Sequence, residues 1–591
     1  MSSRRKFLQN FSLAMASVPA LDLPLTGLSY EKDKKIEISP QAAGLSDTTA
    51  DIIVDKLIAW NVELIFGLTG DGVIPLVEAL RKRQDKIRYI TVRHEESAAF
   101  MASGYAKYTG KLGVCIATTG PGAVHLMNGL YDAAMEGAAV LAITGIIDHD
   151  LLGTQFTQEV DTVRMLEGVA IYNQAISGPV HAQTVVDLAC RNALTMPGVS
   201  HITVSTDTQK KILGEDKHSK KGGHLSGSSA FTPRMDIPEE QELQKAADLL
   251  NASSKIVILA GRGALAARPE VLQLAEKLGA PVAKALLGKA LLADDSPYTT
   301  GGTGNLGTLP SKEMMRDCDA LLILGSNMPH LEYYPERAVG IQVDRDARRI
   351  GLRYPITLGL HGDVKMTLQA LLPKLNYHAN RDFLRLAQQK MKDWNALLGK
   401  VENNRAIPVK PQFLVAQMSK LIDDDAVVAI DTGAHTVFTA RHWQIRAKQQ
   451  LAVCGNLASM APGLPYALAA QLAYPGRQCI AMVGDGSFTM LMGELATAVL
   501  YKLPVKIIVF KNNELAMDRW EQGDAGVPEY GVGLQPIDFA KIAQACGAEG
   551  YSCKDPGDLA ATLKRAFTSA APAVIQVEVD PDEKPALPDK L

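Results

Sequence analysis

Residues 482–513 read MVGDGSFTMLMGELATAVLYKLPVKIIVFKNN, and the fold turns on this stretch. Ile480 to Val483 is a short apolar run of strand type. Gly484 and Gly486 let the chain turn sharply around Asp485, and a helix is expected from about Phe488. A second strand-type run, Val505 to Phe510, leads directly into Asn512, 27 residues after Asp485. In a parallel sheet both strand ends emerge at the same edge. The carboxylate of Asp485 and the amide of Asn512 then meet there, each offering an oxygen. Hard divalent cations such as Mg2+ take oxygen ligands and often share them with a diphosphate. The helix start after the glycine turn points its positive end and free N–H groups at the same place. Alone, Gly-Asp-Gly reads better as a polar turn that merely ends a strand. The spacing and the strand–helix–strand frame make it a candidate metal–diphosphate site at the carboxyl edge, where open α/β sheets place ligands.

Working outward, the 591 residues exceed what one core holds, so several domains are expected. Hydrophobic residues at 47% and charged residues at 21% are ordinary globular composition. A net charge of −3 gives no basic footprint for nucleic acid. Seven scattered cysteines, none in a CxxC, read as small buried hydrophobes, neither a zinc site nor a disulfide frame. The N-terminal SRRKFLQNFSLAMASVPA resembles a twin-arginine export signal, with Ser12, Ser17 and Pro19 breaking its apolar run. Two locations stay open: periplasmic by that route, or cytoplasmic.

Three α/β blocks follow this 1–45 segment. The first, 46–215, alternates strand-type runs (VELIFGL, IRYITV, LGVCIAT, AAVLAITG) with helical stretches, the pattern of a parallel sheet. The Gly/Ser/Lys-rich segment 216–236 reads as a linker. The second block, 237–375, carries KIVILAG, ALLILGS and VGIQVD. A charged helical connector, 376–408, leads to the third block, 409–585, with AVVAID, QCIAMVGD, VKIIVF and AVIQVEV.

GDGSF…KNN resembles the thiamin diphosphate signature, and other segments agree. VRHEESAAFMASGYAKYTGKLGVCIATTGPGAVHLMNGLYDA is similar to the pyrimidine-binding domain of that superfamily. NLASMAPGLPYALAA is similar to the segment under its bent cofactor. The order of blocks resembles pyruvate oxidase and quinone-dependent pyruvate dehydrogenase, with acetolactate synthases as close relatives. The resemblance implies three doubly wound parallel-sheet domains: pyrimidine-binding, central FAD-type and diphosphate-binding.

It also implies roles. Asp485 and Asn512 would ligate Mg2+ by side chain and Glu514 by its backbone carbonyl. Gly486 and Ser487 would lie against the diphosphate beside Gly484, Gly433 and His435. Met460 would support the V-shaped cofactor. Glu95 would be the catalytic acid at N1′ of the aminopyrimidine, where a carboxyl in a dry pocket can share a proton with a ring nitrogen. In the middle block AGRGALA (Gly261, Gly263), GSNMP (Gly325, Asn327) and QVDRDARRIG (Asp344) resemble segments around FAD, although a G-x-G-x-x-A turn is a weak signal by itself.

Glu521 stands where pyruvate oxidases place a glutamate and synthases a tryptophan, with Trp520 one position away. Gln158 matches a glutamine near the substrate in both. The resemblance thus implies oxidative decarboxylation of pyruvate or a similar 2-keto acid, with electrons passing to quinone or oxygen. The alternatives are acetolactate synthase-type carboligation and cofactor binding without turnover. Thr157 and Met517 replace aromatics common in the oxidases, which leaves the keto acid open. The ending PDEKPALPDKL has no apolar face, so no membrane-docking tail is expected. Because the family builds its site from two subunits, a homodimer or homotetramer is expected.

Overall fold

The computed structural model describes residues 47–215, 235–446 and 448–588. The signal-like segment and most of the expected linker lie outside these residues. Three six-stranded sheets carry the chain, and every strand pair in them is parallel.

The first sheet holds β1 (Leu64–Gly67), β2 (Arg88–Thr91), β3 (Gly113–Ala117), β4 (Val140–Ile146), β5 (Ala170–Ile176) and β6 (Val199–Ser205), in the order β2-β1-β3-β4-β6-β5. The second holds β7 (Ile256–Ala260), β8 (Val282–Lys284), β9 (Thr299–Gly302), β10 (Ala320–Leu324), β11 (Val339–Asp344) and β12 (Leu358–His361), in the order β12-β11-β10-β7-β8-β9. The third holds β13 (Val427–Ile430), β14 (Gln450–Val453), β15 (Cys479–Gly484), β16 (Lys506–Lys511), β17 (Glu549–Cys553) and β18 (Ala573–Glu578), in the order β14-β13-β15-β16-β18-β17. The first and third sheets therefore share one topology. All three reverse direction inside the sheet, between β1 and β3, β7 and β10, and β13 and β15. Such reversals open a crevice at the carboxyl ends of the two flanking strands.

The central strands are continuous apolar runs because helices cover both faces. β3, β7, β10 and β13 are buried at every residue. Six helices place the candidate site: α1 (Glu95–Thr109), α2 (Ala434–His442), α3 (Gly463–Ala473), α4 (Asp485–Leu491), α5 (Leu495–Leu500) and α6 (Ala516–Asp524). α1 of the first block packs along α3 of the third, with Phe100 edge-on to Tyr466 at 6.2 Å. One hydrophobic cluster runs through both blocks. Inside that contact the Lys107 ammonium is buried between Asp132 (2.7 Å) and Glu136 (2.9 Å). Removing the Lys107 charge would leave two buried carboxylates uncompensated, which is strongly destabilising.

One local expectation needs correction. The helix after the glycine turn begins at Asp485, three residues before Phe488, with Gly484 as its cap. The Gly484 N–H donates to Ser487 Oγ, and that hydroxyl donates back to the Gly484 carbonyl, both at 3.1 Å. Two polar groups at the turn thus nucleate the helix earlier than its apolar period suggests.

All seven cysteines are free and six are buried. Burial pushes the Cys115 thiol up to about 12, which keeps it protonated and inert. Among the described residues no helix is long and apolar enough to cross a membrane.

Candidate active site

The crevice between β13 and β15 gathers most of the predicted residues. Asp485 is buried at the first turn of α4. Its Oδ2 accepts the N–H groups of Asn512 (3.0 Å) and Asn513 (2.6 Å), and its Oδ1 accepts its own Gly486 N–H at 2.9 Å. One carboxylate therefore ties the loop after β15 to the loop after β16. Burial raises the Asp485 carboxyl above the ordinary range, and the backbone donors oppose it. Asn512 turns its side-chain oxygen back to the Glu514 N–H, at 3.3 Å. Asn513 holds a positive φ of 59°, a conformation asparagine tolerates, so the loop turns there. The Glu514 carboxyl is raised by burial while Arg519 beside it acts the other way.

Gly433 caps α2 and His435 stands on its first turn, against Phe510 at 5.8 Å. Burial holds the His435 imidazole down to about 3, so it is neutral at every ordinary pH. Its Nε2 is buried without a hydrogen-bond partner in the protein. An orphaned buried ring nitrogen facing the crevice fits a ligand group. A Cβ on Gly486 would lie 3.0 Å from Leu515, 3.1 Å from Leu534 and 3.6 Å from the Met460 methyl. Met460 thus reaches the glycine turn, as a support under a cofactor there must. The backbone around it is strained, with Ala458 at φ 55° and Ala461 at φ 90°.

Asp431 holds this strained loop and was not singled out from the sequence. It is fully enclosed at the end of β13. Its Oδ1 accepts the Thr432 N–H (2.7 Å) and the Ala461 N–H (2.9 Å), and its Oδ2 accepts the Gly463 N–H (3.0 Å). Burial outweighs these donors and pushes its carboxyl up to about 7. Its only local signal is an aspartate closing a strand run two residues before a glycine, Asp-Thr-Gly against Gly-Asp-Gly at Asp485, which does not foretell the loop it clasps.

A cavity of about 1810 Å3 joins this crevice to the one between β7 and β10. Gly433, His435, Met460, Gly484, Asp485, Gly486, Ser487, Asn512, Glu514 and Glu521 line one end, and Gly261, Gly263, Gly325, Asn327 and Asp344 line the other. Trp520 and Glu521 both line it, so their one-position offset does not separate oxidase from synthase. Asp344 is buried and its carboxyl is raised by that burial. Ser326 Oγ is buried without a partner. The two glycines of the AGRGALA turn have a reason internal to the fold. A Cβ on Gly261 would meet the Gly325 carbonyl at 2.3 Å, and one on Gly263 would meet Gly325 Cα at 2.8 Å. They let two loops of the sheet touch, and a ligand is not needed to explain them.

Glu95 and Gln158 do not line this cavity. Glu95 is the first residue of α1 and is buried. Its Oε2 lies 2.9 Å from His125 Nδ1, and His125 stacks on His94 at 4.4 Å. Gln158 has a φ of 66° and accepts the Thr119 hydroxyl at 3.1 Å. Both side chains border the Thr118–Gly122 turn after β3: a Cβ on Gly122 would lie 3.2 Å from Glu95 Oε1, and one on Gly120 would lie 2.9 Å from Gln158 Cβ. The predicted residues therefore fall in two separate places: the β13–β15 crevice, and a Glu95–His125–Gln158 edge.

Three family models match the chain. The N-terminal TPP binding domain of thiamine pyrophosphate enzymes matches residues 47–165, their central domain 243–371, and their C-terminal TPP binding domain 431–577. A putative thiamine pyrophosphate-containing protein of Bacillus subtilis is 36% identical over 544 residues, covering 92% of this chain and 93% of its own. The pyruvate oxidase of Lactiplantibacillus plantarum is 31% identical over 504 residues, covering 84% and 83%. A probable acetolactate synthase large subunit of Methanococcus aeolicus is 29% identical over 556 residues, covering 90% and 92%.

Proposed function

Because the chain belongs to the thiamine pyrophosphate enzymes, we propose that it decarboxylates a 2-keto acid such as pyruvate with thiamin diphosphate and Mg2+ at the β13–β15 crevice. The observation that carries this reading is the single buried carboxylate of Asp485 bridging both loop tips beside an orphaned His435 nitrogen. Asp485, the Asn512 side chain and the Glu514 carbonyl are the oxygen donors for the cation. Gly484, Gly486, Ser487 and Gly433 leave backbone accessible to the diphosphate, with neutral His435 beside it. Met460 supports the cofactor from beneath. Thiamin diphosphate, when bound, supplies the electron sink that lets CO2 leave. Glu95, supplied by a neighbouring subunit because it does not line its own chain's cavity, holds a proton at the aminopyrimidine. The assembly is then a dimer or a tetramer built from dimers, and an active monomer in a size measurement would refute it.

The fate of the remaining carbon has two readings. The acetolactate synthase relatives support carboligation, the joining of that fragment to a second 2-keto acid. The pyruvate oxidase relative supports the second reading, oxidation with electrons passing through FAD to quinone or oxygen. FAD in the middle block is supported by the strand reversal at β7 and β10, an order shared with dinucleotide-binding sheets, and by the unpartnered Ser326 hydroxyl there. A flavin occurs on both readings, so the deciding experiment follows products. Purified holoenzyme is given pyruvate under nitrogen while CO2, acetolactate and flavin absorbance are measured. Acetolactate with the flavin still yellow selects carboligation. Bleaching with no acetolactate selects oxidation, and no CO2 from any 2-keto acid refutes the decarboxylase.

A further inference from the structure

The proposed reading gives Glu95 its chemistry but leaves open what aims it. Glu95 opens a helix whose preceding residues, Arg93 and His94, form the bend out of β2. A bend of this kind needs partners for its backbone N–H groups. Both find the same one. The Arg93 N–H donates to Glu494 Oε1 at 2.8 Å and the His94 N–H donates to the same oxygen at 3.2 Å. Glu494 lies some 400 residues away in sequence, at the start of α5 in the diphosphate block, and it is 1% exposed. Its other oxygen accepts the Thr497 hydroxyl at 2.6 Å, so the carboxylate is pinned from both sides. One turn further along, the Tyr501 hydroxyl accepts the Thr91 N–H at 2.7 Å. Glu494, Thr497 and Tyr501 stand at helical spacing on one face and clamp the strand end that delivers Glu95.

We propose that Glu494 is a positioning residue for Glu95: a buried carboxylate that sets the direction of the catalytic side chain through the Arg93 and His94 N–H groups. This rests on the reading of Glu95 given above. Glu494 lies nine residues beyond the proposed metal ligand Asp485, on the segment that begins at the diphosphate turn. The same short segment therefore contacts both the crevice and the Glu95 edge of one chain.

The test compares holoenzymes carrying Glu494→Ala, Glu494→Gln and Glu95→Gln. Three quantities are read: CO2 release at saturating cofactor, affinity for Mg2+ with thiamin diphosphate, and the near-ultraviolet circular dichroism of the bound aminopyrimidine. Glu494→Ala is expected to lower CO2 release about 10- to 100-fold, the scale of a misaimed catalytic group. Its cofactor affinity should stay within about threefold of the parent, because the crevice donors are untouched, and the dichroism band should weaken. Glu494→Gln keeps an oxygen for both N–H groups and should restore most of the rate. If Glu494→Ala does not fold, Thr497→Val against Thr497→Ser reads the same clamp, with the loss expected in the valine variant alone. Unchanged CO2 release and dichroism in Glu494→Ala, or equal losses in the alanine and glutamine variants that track thermal stability, would overturn the proposal. Full activity in Glu95→Gln would instead refute the role of Glu95 itself.

Discussion

Replacing Asp485 with asparagine tests the site most directly, since the two side chains have the same shape. The aspartate has two oxygens, and between them they accept three backbone N–H groups: Gly486 on Oδ1, Asn512 and Asn513 on Oδ2. An asparagine offers one oxygen. If its oxygen faces the Asn512 loop, the amide NH2 opposes the Gly486 N–H. If it faces Gly486, the NH2 opposes two donors. Each orientation strands at least one buried donor and loses a charge-assisted bond, about 2–4 kcal/mol in all. Where that loss falls on the state that binds the cation, affinity for Mg2+ with thiamin diphosphate drops roughly 30- to 700-fold. The assay is a fluorescence titration of apoprotein with the metal and coenzyme together, followed by CO2 release at saturation. Added Mg2+ should recover part of the rate. Parental affinity in this variant, or in Asp485→Ala, would refute the assignment of this carboxylate as clamp and ligand.

Other consequences follow from single residues. His201 is fully buried, donating from Nδ1 to Asn173 (2.7 Å) and accepting the Thr144 hydroxyl at Nε2 (2.8 Å), and burial holds it down to about 3. Its folded value lies below its unfolded one, so its contribution is complete above the ordinary histidine range near pH 6.5 and is lost as pH falls toward 3. The slope is at most about 1.4 kcal/mol per pH unit, and His201→Gln should flatten this limb in urea titrations at pH 4–7; an unaltered limb would count against it. Gly261→Ala places a Cβ 2.3 Å from the Gly325 carbonyl. It should lower stability by about 1–3 kcal/mol, and an unchanged urea midpoint would disprove the loop contact. Arg441 donates to the carbonyls of Gly307 (3.2 Å), Asn305 (3.0 Å) and Ala586 (2.6 Å), joining the middle block, α2 and the C-terminal segment. A lysine cannot span this fork, so Arg441→Lys should cost about 1–3 kcal/mol and speed protease cleavage after residue 580; equal cleavage rates would argue that the segment is held elsewhere.

The sequence by itself determined the local frame. Strand-type runs, glycine turns and the 27-residue interval from Asp485 to Asn512 are short-range features, and a parallel strand–helix–strand unit has few ways to satisfy them. The two loop tips lie together in the structure, but the Asp485 carboxylate meets the Asn512 backbone N–H while the Asn512 side-chain oxygen turns to the Glu514 N–H, and the helix start is displaced by a polar cap. The identity of the block carrying Glu95 was legible too, through its motif. Contacts between distant segments were not. The strand orders, the clasp of Asp431 on the Met460 loop, and the Glu494 contact to Arg93 and His94 join residues 30 to 401 positions apart. No local pattern encodes such pairs, because each partner alone reads as an ordinary acid near a helix start. The middle-block glycines show the converse. Their motif suggests a nucleotide, whereas the packing of two loops already accounts for them. Only the assembled core decides such cases, since burial determines which polar groups must find partners and which small residues must stay small.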